Sequence, residues 1–125
     1  QLADVAETTA RIEAIARECR VPGTRGSVEI RGTRLPMEQS SGNLELFGLL
    51  RATANRLGLP CIDELRSGVS DANTIAQAGI PVVDGLGPIG ACDHSDREYM
   101  LRASLPARTR LAACAIPEIF RHFRR

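Results

Sequence analysis

The sequence predicts an α/β layer fold, and three observations carry that prediction. From Gly42 onward the patterns alternate in the order α-β-α-β-loop-α. The run Ile80-Pro81-Val82-Val83 is apolar throughout, as suits a short strand in a sheet covered on both faces. The apolar positions are mostly Leu, Ile, Val and Ala, with Phe47, Tyr99, Phe120 and Phe123 the only aromatics. At 125 residues the chain has the length of one ordinary domain.

The elements follow in order. Val5, Ala6, Thr9, Ile12, Ala16 and Cys19 recur at three- and four-residue spacing and predict a helix over 3–20, ended by Pro22-Gly23. Ser27-Val28-Glu29-Ile30-Arg31 alternates and predicts a half-buried strand. One helix and one strand cannot make a sheet, so this unit calls for strands from outside the sequence. Arg34-Leu35-Pro36-Met37 is an extended connection, because the residue before a proline is pushed out of the helical region.

Ser40-Ser41-Gly42-Asn43 is a turn or N-cap, and Leu44, Phe47, Leu50, Ala54 and Leu57 mark a second helix that stops at Gly58. Residues 59–65 read as a strand. Ser70 or Asp71 caps a short helix through Ala78, with Gly79 past its end. Residues 80–83 form the buried strand. The last helix starts near Ser104, tolerates Pro106 in its first turn, and is expected to kink or break at Pro117.

Composition excludes several classes. All sixteen basic residues are arginine, scattered and nearly balanced by fifteen acids. That pattern lacks the basic face and interleaved aromatics of a nucleic-acid binder. The four cysteines are far apart, which argues against a zinc ribbon or a redox dithiol. No targeting, transmembrane or lipidation segment appears, so a cytoplasmic protein with no membrane partner is expected. The sequence opens at Gln1 directly ahead of a helical pattern and reads as a piece of something longer.

Gly85-Leu86-Gly87-Pro88-Ile89-Gly90 fits the dinucleotide fingerprint and follows a predicted strand. The fingerprint needs a helix to begin inside it, and a pyrophosphate wants positive charge. Here the next residues are Ala91-Cys92-Asp93-His94-Ser95-Asp96, polar and acidic. A nucleotide-binding domain is therefore the weaker reading of this loop. His94 follows a glycine loop at the end of a predicted strand and is flanked by carboxylates, a pattern that suits metal binding or acid–base work. The bland alternative is a hydrogen-bonded loop histidine. His122, near the tail, reads as surface decoration. Cys92 beside His94 raises a thiol nucleophile, which nothing in the spacing orders.

Taken together, Ser70-Asp71-Ala72-Asn73, Gly79-Ile80-Pro81, Asp84-Gly85-Leu86-Gly87-Pro88 and His94 with Glu98-Tyr99 resemble the closing motif of the zinc amidohydrolases. That family includes acetylornithine deacetylase, succinyl-diaminopimelate desuccinylase, aminoacylase and carboxypeptidase G-type enzymes. Arg34-Leu35-Pro36-Met37 resembles the family's Arg-Pro-Pro-Met turn, and Gly42-Asn43-Leu44 the start of the next helix.

The resemblance implies a two-domain enzyme with two zinc ions in an α/β catalytic domain and an inserted α+β lid that forms a homodimer. Residues 1–37 would be the end of the lid and the return linker, and residues 38–125 the C-terminal third of the catalytic domain. It implies that His94 is a metal ligand and that Arg34, Gly68 and Ser70 bind substrate, an N-acyl amino acid or a peptide. Cobalt or manganese would suit the same donors as zinc. The general base and most ligands have no counterpart here, so this segment alone is expected to be inactive, with no catalytic residue of its own. Val69, where the family often has glycine, and Ala91-Cys92-Asp93, in place of a mostly glycine run, depart from the pattern. They keep open a degenerate or truncated relative serving as an interaction or dimerisation module.

Overall fold

A computed structural model describes residues 1–124 of the protein. The elements are α1 (Ala3–Arg17), α2 (Ser41–Leu57), α3 (Asp71–Gln77), β1 (Gly90–Ala91), β2 (Tyr99–Met100) and α4 (Ser104–Phe123). They fall into two compact units. The first takes Gln1–Glu38 together with Gly68–Gly79, and the second takes Gln39–Ser67 and Ile80–Arg125.

In the first unit, α1 ends three residues earlier than its apolar spacing predicts. Glu18 leaves the helical region at ψ 72°, while its N–H still donates to the carbonyls of Ala14 and Ile15. None of its residues is buried, and Ile15 is 68% exposed. The segment 27–31 is not a strand. An extended run becomes a strand only when a neighbour takes up its backbone groups, and none among the described residues does so. The short helix α3 is as expected. Ser70 is its N-cap, with the Ser70 hydroxyl accepting from the Ala72 N–H and the Asn73 side chain accepting from the Ser70 N–H.

The second unit is built on α2 and α4. Ser40 caps α2 by accepting from the Asn43 N–H, and Gly58 ends it in the left-handed region at φ 66°, which favours glycine. The buried face is Asn43, Leu46, Leu50, Thr53 and Ala54, so Leu44 points away from it. Leu50 and Ala54 meet Leu111 and Ala115 of α4, with Leu57, Leu59, Cys61, Val83, Leu86 and Ile119 closing over them. Glu45 pairs with His122 and Arg56 with Glu118, so the two helices run antiparallel. His122 is thus a partner of α2 and not free surface.

Three further expectations are corrected here. Residues 59–65 and 80–83 are irregular, and Ile80 is 56% exposed, with the backbone of this stretch held by a side chain in place of a ladder. The Asn43 amide oxygen accepts from the Val82 N–H at 2.9 Å. The helix α4 runs unbroken through Pro117. Proline cannot donate to the carbonyl four residues back, that of Ala113, which is an exposed residue where such a loss costs least.

Beside the α2–α4 core, Glu118 accepts from Arg56 at 2.5 Å and from the Thr53 hydroxyl at 2.9 Å. The Arg56 hydrogen bond above all, then that from Thr53, holds the Glu118 carboxyl below its ordinary value. The folded state therefore binds this proton more weakly than the unfolded state. Its stabilisation is complete above the ordinary value of 4.5 and is lost as pH falls through the lowered folded value. Glu118→Gln should accordingly lower the urea midpoint at neutral pH and converge with the parent protein in acid. Parallel curves across that range would show that the pair contributes nothing.

Candidate functional site

The residues singled out by the sequence lie in both units. Arg34, Gly68 and Ser70 belong to the first and His94 to the second.

In the first unit, Asn73 organises the neighbourhood of Arg34. Its side-chain oxygen caps the Ser70 N–H at 2.9 Å, and its side-chain nitrogen donates to the Leu35 carbonyl at 2.8 Å. Asn73 is buried, so both bonds are shielded from water. They fix the connection carrying Arg34 to the start of α3. The Arg34 guanidinium then meets the Asp71 carboxylate at 3.5 Å, with both side chains more than half exposed. Gly68 lies in an exposed bend two residues ahead of the cap. The Ser70 side chain acts as a helix cap, and the exposed cation of this group is Arg34.

In the second unit, β1 and β2 form an antiparallel pair in the register Gly90 with Met100 and Ala91 with Tyr99. Gly90 is required there, because a Cβ at that position would collide with the Tyr99 carbonyl. The pairing extends outward, with the Leu101 N–H donating to the Ile89 carbonyl at 2.8 Å. The Ser104 hydroxyl accepts from the Ile89 N–H and donates to the Leu101 carbonyl, at 2.8 and 2.6 Å. This ties the hairpin to the first residue of α4.

His94 sits in the turn of that hairpin, exposed to solvent. Its backbone is left-handed at φ 63°, and so is that of Cys92 at φ 64°. Each costs on the order of 1 kcal/mol for a residue with a Cβ. Local bonds hold the shape. The His94 N–H donates to the Glu98 carboxylate at 3.2 Å, the Ser95 hydroxyl donates to the Cys92 carbonyl at 2.7 Å, and the Glu98 N–H donates to the Ser95 carbonyl at 3.1 Å. Glu98 is thereby a support for the histidine backbone.

No helix starts inside Gly85–Gly90, since the chain passes from that loop into β1 and the next helix is α4. The helix N-terminus on which a dinucleotide reading depends is therefore not formed there. The half-buried Cys61 thiol is not activated as a nucleophile. Burial pushes it up, against the nearby Arg108 and Arg51, so it stays protonated at neutral pH. Among the described residues, no three His, Cys, Asp or Glu side chains gather as a metal site would require. The donors gathered among the described residues thus do not by themselves fit a zinc ion. Nor is any helix among the described residues long and apolar enough to cross a membrane.

Reading the sequence missed Asn73, Asn43 and Ser104 as organisers. The signal for Asn73 was present, a side chain able to accept at the third position after a serine cap. Removing it leaves the Ser70 N–H and the Leu35 carbonyl, both on half-buried residues, without this partner. Asn73→Ala should cost about 0.5–1.5 kcal/mol by urea denaturation and sharply raise the exchange rate of the Ser70 amide. Unchanged protection of that amide would remove Asn73 from this role.

No family model, curated protein or solved structure matches the chain.

Proposed function

We propose that this chain is the C-terminal portion of a metal-dependent hydrolase that cleaves the amide bond of N-acyl amino acids or peptides. The observation that carries the reading is His94, exposed in a hairpin turn, held left-handed by Glu98, and preceded in order by the Ser70–Asn73 and Asp84–Pro88 segments. A left-handed non-glycine residue retained in an exposed turn is the kind of local strain found at functional positions.

On this reading each residue has a limited task. His94 supplies one imidazole donor, and zinc, or cobalt or manganese in its place, would polarise the amide carbonyl when bound by the complete ligand set. The reading implies that the remaining ligands and the general base come from polypeptide outside this sequence. Arg34 is the group suited to a substrate carboxylate, with a planar fork of donors on a pinned connection. Ser70 and Gly68 shape the turn beside it. Dimerisation through the first unit is part of the same proposal, as is a cytoplasmic location.

The test uses the parent enzyme and a panel of N-acetyl amino acids. Hydrolysis is expected to stop with chelator and return with zinc. His94→Ala should lower kcat/KM by about 100-fold or more, since even outer-sphere partners of a metal are worth about 10- to 100-fold. Full activity in that variant, or activity indifferent to chelator, would refute the proposal. A native reading frame lacking any upstream metal-binding segment would favour a non-catalytic relative.

A further inference from the structure

We draw no further inference here: the strongest candidate, the exposed apolar ridge that Ile116, Phe120 and Phe123 form with Arg124 along the second half of α4, carries nothing because nothing in the structure shows what covers it.

Discussion

The seam between α2 and α4 is the constraint on which the second unit depends. Leu50, Ala54, Leu111 and Ala115 are its buried centre, and Leu111 and Ala54 are fully excluded from solvent. Apolar contact sets the helices side by side, and Glu118 with Arg56 and Thr53 fixes their register at the edge. What lies beyond the seam is attached to one of its helix starts. Asn43 at the head of α2 holds Val82, and Ser104 at the head of α4 holds both strands of the hairpin. The position of His94 is therefore inherited, through Ser104 and a two-residue ladder, from aliphatic packing.

The first unit is organised differently. It has no comparable apolar centre. Its buried residues are Ala72 and Asn73, and its cohesion near Arg34 comes from one amide side chain serving two backbone groups. Such a group is costly to leave unsatisfied, so it specifies the geometry of the Arg34 connection more sharply than its net contribution to stability suggests. The large exposed residues Ile12 and Ile15 on α1 show how little of the apolar surface here is covered within the described residues.

The helices and most of their capped ends were legible in the sequence, the end of α1 excepted, and strands were not. Ser40 and Gly58 bound α2, and Ser70 starts α3, because caps satisfy backbone groups locally and leave a local signature. The runs 27–31, 59–65 and 80–83 carry strand-like composition, yet a strand exists only through a partner, and composition does not supply one. The short β1–β2 pair escaped notice for the opposite reason. Gly90-Ala91 and Tyr99-Met100 have no alternation to detect, and their pairing follows from the Ile89, Leu101 and Ser104 bonds. At Pro117 the helix does not break, and the carbonyl that loses its donor belongs to Ala113, an exposed residue. His94 was visible as a candidate. Its left-handed backbone and its dependence on Glu98 were not, because both arise from hydrogen bonds within the turn.

The proposed function assigns His94 a coordinate bond to a metal ion, and that bond has a direct spectroscopic reading. X-ray absorption at the zinc edge of the metal-loaded parent enzyme, with and without His94→Ala, measures it. The account predicts that the variant loses the multiple-scattering signal of one imidazole, at a zinc–nitrogen distance of about 2.0–2.1 Å in the unsubstituted enzyme. Identical spectra from the two proteins would contradict it.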